Sequence, residues 1–235
     1  SYRIQWSRTH ILANYLKKLG MSGSVDISKC RLNLGESQKV NVQGRYVCLI
    51  SEGLLPYKTL PFPLMQEVVC ELSREYQVVQ LGLEKDPLLE GVVDLRGRLS
   101  FSQVAQCLRH ASAYVGPIGG LVHLAHFVGC PSVIAISGEP VEYIGYARNV
   151  NVRSSFQCDL CDTLKLNPMH DRCPFEYACA RSGFDAKVIC DSVRMLNKKG
   201  GIQEVFLDEV EEEKTVGVYE LLLERGVSSL RREIR

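Results

Sequence analysis

The sequence predicts an α/β fold, with a mostly parallel, Rossmann-like sheet and helices on both faces. Three observations carry this. Between residues 46 and 197, short apolar runs alternate with stretches of helical periodicity, the rhythm of a parallel sheet closed by crossover helices. The runs themselves are almost continuously apolar, as strands buried on both faces are. Hydrophobic residues make up 46% of the 235 and charged ones 23%, enough for a substantial core.

The elements follow in order. Thr9 to Gly20 has apolar residues at helical spacing, with Gly20 as a helix stop. Residues 21–44 are polar and irregular and read as a connector. Tyr46-Val47-Cys48-Leu49-Ile50 is a strand, and Pro63 to Tyr76 a helix with proline tolerated in its first turn. Val78 to Leu81 forms the next strand, ended by Gly82, and Val92 to Leu95 a short one. Ser100 with Gln103 is a capping-box pair that opens a helix running to His110. Ala113 to Gly116 is a strand, and Gly119-Gly120 leads into a helix that ends near Gly129. Ser132 to Ile136 is the clearest strand, Asn151-Val152 a last short one, and Phe184 to Asn197 a helix. In the tail, an acidic run from Asp208 to Glu213 precedes a helix over 216–225, with Val218, Leu221 and Leu222 on one side.

Charge and cysteine usage narrow the function classes. Twenty-eight Lys+Arg against 27 Asp+Glu leave a formal charge of +1, which argues against broad nucleic-acid binding. No apolar run approaches the roughly 20 residues that span a bilayer. No signal-peptide pattern is present and the first residue is Ser1, so the chain reads as an excised piece of a soluble, cytoplasmic protein. Of the 10 cysteines, Cys48, Cys70 and Cys107 lie in apolar patterns, where the thiol serves as a small reduced hydrophobe. Five crowd between Cys158 and Cys190. Cys158-Asp-Leu-Cys161, followed by Cys173 and Cys179, offers four thiolates to a tetrahedral zinc or iron, with His170 as a spare ligand. Reduced thiols and a disulfide are the other readings. Asp159, Asp162, Asp171 and Glu176 surround the knuckle and would repel a phosphate backbone.

The candidate ligand site is Val115-Gly116-Pro117-Ile118-Gly119-Gly120-Leu121-Val122-His123. Ligands of open α/β sheets bind beyond the carboxyl ends of the strands, at a helix N-terminus where backbone N–H groups are unpaired. Two glycines between strand and helix permit close approach, although a plain tight turn has the same appearance. Neither a Walker motif nor GxGxxG spacing is present.

Residues 94–140 run Asp-Leu-Arg-Gly-Arg-Leu-Ser, a helix, Tyr-Val-Gly-Pro, Gly-Gly-Leu-Val-His-Leu-Ala, Val-Gly-Cys-Pro-Ser-Val and Ser-Gly-Glu-Pro. This order resembles the C-terminal half of family 9 glycosyltransferases, the ADP-heptose:lipopolysaccharide heptosyltransferases and their relatives. Upstream, Tyr57-Lys58-Thr59-Leu60-Pro61 is similar to the family's Lys-x-Trp-Pro, and Gly82 with Glu84 falls in its Gly-x-x-x-Glu region. The resemblance covers residues 9–197. It implies the donor-binding domain of a two-domain GT-B fold. Residues 1–44 would be the end of the preceding domain and a connector. Residues 45–200 would bind the sugar nucleotide, with a Cys-rich insertion at 156–183, and 201–235 would form a helical tail.

The resemblance also implies site roles. Gly119, Gly120, Leu121, Val122 and His123 would cradle the donor diphosphate, Lys58 would face its charge, and Glu139 would lie near the ribose or the transferred sugar. The reaction would move a heptose-like sugar from a nucleoside diphosphate to a glycan or protein acceptor. The catalytic base would come from a preceding domain, which with self-association through the tail helix completes the expected partners. Such a protein would work in the cytoplasm, up to the periphery of the inner membrane. Iron held by similar clusters in autotransporter heptosyltransferases keeps iron beside zinc. Three departures stand out: Ile118 replaces an acidic residue, Leu60 replaces the tryptophan, and the Gly-Pro-Thr-Asp-Pro loop is shortened to Ser137-Gly138-Glu139-Pro140. They open a rival reading, a non-catalytic binding or interaction module of the same fold stabilised by its metal loop.

Overall fold

A computed structural model describes residues 10–20, 31–33, 40–146, 148–156 and 173–198. Cys158, Cys161, His170 and the tail helix lie outside the described residues. Six strands form one sheet: β1 (Tyr46–Leu49), β2 (Gln77–Gln80), β3 (Val93–Asp94), β4 (Ala113–Pro117), β5 (Ser132–Ile136) and β6 (Asn149–Arg153). They lie in the order β3-β2-β1-β4-β5-β6 and every pairing is parallel. The helices are α1 (Ile11–Lys18), α2 (Phe62–Leu72), α3 (Phe101–His110), α4 (Gly120–Val128), α5 (Val141–Ile144), α6 (Ala178–Arg181) and α7 (Ala186–Lys198).

Alternation along each strand sends side chains to two separate cores. Val47 and Leu49 of β1, with Val115 and Val133, pack against Met65, Val68 and Leu72 of α2 and Ile189 and Val193 of α7. Tyr46 and Cys48 point the other way, joining Tyr114 and Ile134 against Cys107 and Leu108 of α3 and Val122 and Ala125 of α4. Each fully buried aliphatic contributes roughly 1.5–3 kcal/mol, so both faces are firmly covered. α1 joins the second core through the half-buried Leu12.

Local chemistry fixes the ends. Ser100 Oγ accepts from the Gln103 N–H while Gln103 Oε1 accepts from the Ser100 N–H, a complete capping box for α3. Gly129, at φ +79, takes the left-handed conformation that ends α4 and returns its N–H to the last turn.

Several boundaries differ from the sequence expectation for physical reasons. α2 stops at Leu72, not Tyr76, because Tyr76 turns into the core and the chain must enter β2 at Gln77, whose N–H bonds to the Arg45 carbonyl. α7 begins at Ala186, not Phe184, because Asp185 Oδ1 accepts from the N–H groups of Lys187 (2.7 Å) and Val188 (3.2 Å). β6 is five residues long, since all of β5 is available to pair with it. Asn149 and Asn151 hid it by breaking the apolar run. α5 and α6, four residues each, are too short for periodicity to register. Cys70 is exposed on α2 and is not a core thiol, whereas Cys48, Cys107, Cys130 and Cys190 are buried. No helix among the described residues is long and apolar enough to cross a membrane.

Candidate functional site

β1 and β4 are neighbours, but the chain leaves them toward opposite faces of the sheet, to α2 and to α4. The carboxyl ends of β1 and β4 are therefore the topological switch point, where ligands of this architecture bind. The connections after β1, β4 and β5 each bring expected residues toward it.

After β1 the chain makes a 3-10 turn at Pro56–Lys58 and returns, with the Leu60 N–H bonded to the Ser51 carbonyl at 2.8 Å. Gly53 allows this closure: a Cβ there would collide with the carbonyl and Cβ of Lys58. Lys58 Nζ lies 2.8 Å from Glu139 Oε1, and the Tyr57 hydroxyl donates to the same oxygen at 2.9 Å. Ser137 Oγ, at the end of β5, donates to the Tyr57 carbonyl. The loops after β1 and β5 are thus tied together side by side. The Glu139 side chain is 1% exposed and that of Lys58 19%, so the carboxylate is enclosed while the ammonium still reaches solvent. Glu139 Oε2 is buried without a hydrogen-bond partner among the described residues. Glu52, on the same loop, has its carboxyl pushed above the ordinary range by burial, a hydrogen bond from Thr59 opposing the shift.

After β4, Ile118 is fully buried in the second core and Gly119 is extended. A Cβ on either Gly119 or Gly120 would meet nothing within 4 Å. Among the described residues the space over the start of α4 is open, and packing against them does not explain either glycine. Val122 is buried and its N–H closes back on the Gly119 carbonyl at 3.2 Å. Val122 therefore anchors the turn and offers no side chain to a ligand.

His123 stands one turn into α4, its Nδ1 2.6 Å from the hydroxyl of Tyr146. Its pKa is pushed down to about 4, first by burial and then by His10, His126 and Lys58. The Lys58 influence places the lysine and the imidazole in one electrostatic neighbourhood. Tyr146 is stacked on His126, with ring centroids 3.8 Å apart, and tilted against His10 at 4.7 Å.

The structure thus brings Lys58, Glu139, His123 and the two glycines to one end of the sheet. Sequence reasoning missed Gly53, Tyr57, Ser137, Tyr146, His10 and His126. Of these, only the three-residue spacing of His123 and His126 on α4 was a usable signal.

Of the expected metal ligands, Cys173 and Cys179 are described, and both are half-buried. The Tyr177 N–H donates to Cys173 Sγ at 3.4 Å. Glu176 and Tyr177 both have positive φ, so the chain folds tightly around that sulfur. α6, which carries Cys179, rests against the turn that carries Lys58. Among the described residues no group of three or more His, Cys, Asp or Glu is placed to hold a metal.

No protein-family model matches the chain, and no curated protein matches it in sequence. Solved structures do share its fold. TibC, an iron-containing dodecameric glycosyltransferase from enterotoxigenic Escherichia coli H10407, superimposes with a TM-score of 0.59 at 21% identity, over 73% of this chain and 52% of that one. TibC in complex with ADP-D-β-D-heptose gives 0.58 at 22%, over 72% and 49%. The E. coli ADP-heptose lipopolysaccharide heptosyltransferase II gives 0.52 at 16%, over 66% and 47%. The chain spans about half the length of these structures, and its parallel α/β sheet is the fold of one half of a GT-B glycosyltransferase.

Proposed function

We propose that this chain is the nucleotide-sugar-binding half of a glycosyltransferase that moves a heptose-like sugar from a nucleoside diphosphate to a glycan or protein acceptor. The observation that carries the reading is the convergence of Lys58, Glu139 and the open Gly119-Gly120 start of α4 at the switch point of the sheet. The heptosyltransferase folds that it shares, one of them holding ADP-D-β-D-heptose, support the choice of ligand.

The chemistry follows from charge. As the bond from the sugar to the diphosphate breaks, negative charge develops on the leaving oxygen. The Lys58 ammonium and the N-terminus of α4 are placed to stabilise it. The acceptor oxygen forms the new bond to the sugar carbon, and its proton leaves to a base supplied by a preceding domain. Gly119, Gly120 and Leu121 contribute backbone at the diphosphate, and His123 a ring nitrogen. Glu139, enclosed and paired with Lys58, holds the ammonium at the site. Cys158, Cys161, Cys173 and Cys179 would hold a zinc or iron ion. A closed four-sulfur site would leave no position for substrate, so the ion would serve structurally, beside α6 where it rests on the Lys58 turn.

Calorimetric titration with ADP, UDP and GDP tests the reading. One of them should bind, and Lys58→Met should weaken it about 30-fold, the loss of roughly 2 kcal/mol expected for a hydrogen bond to a charged group. Absence of binding by all three at millimolar concentration would refute the assignment. The burial of Ile118 favours a second reading, a module that binds the nucleotide without supporting transfer. That reading requires nucleotide binding with no turnover of ADP-heptose even when a preceding domain is supplied.

A further inference from the structure

We propose that Tyr146 is a positioning residue of the nucleotide site: its hydroxyl donates to Nδ1 of His123 and so fixes the imidazole as the Nε2–H tautomer, with Nε2–H left to donate to the bound anion. The inference rests on the reading of the site as a nucleotide site and adds to it a residue from outside the glycine turn.

Three observations support it. The contact is short, 2.6 Å between Nδ1 and the hydroxyl oxygen. An imidazole nitrogen is a far stronger base than a phenol oxygen, so a neutral pair settles with the proton on oxygen directed at nitrogen, and the ring's own proton then belongs to Nε2. Second, Tyr146 cannot swing freely. Its ring is stacked on His126 at 3.8 Å with an interplanar angle of 10°, and packs against His10 at 4.7 Å. The residue itself is 5% exposed. A clamped phenol holds the imidazole in one orientation, which is what positioning a donor requires. Third, the surroundings keep His123 neutral. The groups facing it are His10 from before α1, His126 from its own helix, Tyr146 from after α5, and Lys58, itself paired with Glu139, from the turn after β1. Burial and nearby cations both oppose a second proton on the ring, so the site presents a neutral N–H donor beside the Lys58 ammonium.

His10 extends the arrangement. Its Nδ1 accepts from the Leu12 N–H at 3.3 Å at the start of α1, and its ring packs against Tyr146. The segment entering α1 therefore holds the far side of the ring that orients His123.

The test has two arms. Long-range proton–nitrogen spectra of ¹⁵N-histidine-labelled protein report the tautomer directly. In wild type His123 should be the Nε2–H form, and it should remain neutral from pH 8 down to about 5. In Tyr146→Phe the ring should become a mixture of tautomers. A wild-type ring protonated on Nδ1, or a tautomer unchanged in Tyr146→Phe, would overturn the proposal. If that variant does not fold, the wild-type spectrum alone decides. The second arm titrates ADP, UDP and GDP into both proteins. A loss of about tenfold in Tyr146→Phe is expected for one hydrogen bond placed out of line, and equal affinities would overturn the positioning role. If no nucleotide binds wild type, the nucleotide reading fails separately, and the tautomer result still decides what Tyr146 does to His123.

Discussion

Replacing Lys58 by Met probes folding and the site at once, because the lysine is the partner of a buried carboxylate. Glu139 has a side chain only 1% exposed, and its Oε1 receives Lys58 Nζ at 2.8 Å and the Tyr57 hydroxyl at 2.9 Å. Its Oε2 already lacks a partner among the described residues. Without the lysine, a negative charge is left enclosed with a single neutral donor. Removing one member of a buried pair costs about 3–5 kcal/mol. Lys58 is 19% exposed, so the low end, about 3 kcal/mol, is expected. With an m-value of about 2 kcal/mol/M, the urea midpoint should fall by roughly 1.5 M. Glu139→Gln keeps an acceptor for Tyr57 and should cost about 1–2 kcal/mol. The double variant should be less destabilised than the sum of the two, since it leaves no uncompensated charge. A cost for Lys58→Met within about 0.5 kcal/mol of zero, or strict additivity in the double variant, would refute the enclosed pair.

Four further outcomes are expected. Gly119→Ala, whose Cβ would meet nothing among the described residues, should leave stability within about 0.5 kcal/mol of wild type yet weaken nucleotide binding. Gly129→Ala, at φ +79, should cost about 1 kcal/mol and leave binding unchanged. His10 and His123 are both held below 6.5 in the folded protein, His123 at about 4, so below pH 6.5 the unfolded chain binds more protons. Stability should therefore be complete above pH 6.5 and fall as pH drops toward 4, by at most roughly 1.4 kcal/mol per pH unit for each histidine, with a shallower fall in His123→Gln. Elemental analysis of protein purified without chelator should find one equivalent of zinc or iron, and a metal-free preparation with unchanged melting would remove the proposed thiolate site.

What was legible in the sequence follows from what each element buries. Val133 and Ile134 of β5 face opposite cores and are both enclosed, so the strand appears as an unbroken apolar run and its limits, Ser132–Ile136, were predicted to the residue. β1 was legible for the same reason. β6 has β5 on one side and, among the described residues, no further strand of this sheet on the other, so its asparagines are tolerated and the pattern blurs. The site divides similarly. Lys58, Glu139, His123 and the glycines sit in short motifs whose resemblance to a family could be read linearly. Tyr57 and Ser137 could not, because their roles depend on contacts 82 and 80 residues away along the chain. Tyr146 lies 23 residues from His123 in a stretch with no motif at all. Only the parallel order of β1, β4 and β5 makes these residues neighbours.

That order also explains why the site needs so few charges. The switch point exists because β1 and β4 send their connections to opposite faces, and α4 then presents its positive N-terminal end there whatever side chains it carries. Lys58 adds one positive charge, which Glu139 balances before any ligand arrives, and His123 adds none while it stays neutral. An anion in the proposed site would meet directed N–H groups and, among the described residues, one shared ammonium. Such a site would select by shape and donor geometry more than by charge, in keeping with a formal charge of only +1. It also makes orientation the quantity most worth protecting. Tyr57, Ser137 and Tyr146, none of which carries charge in these contacts, fix the three groups that could engage a ligand.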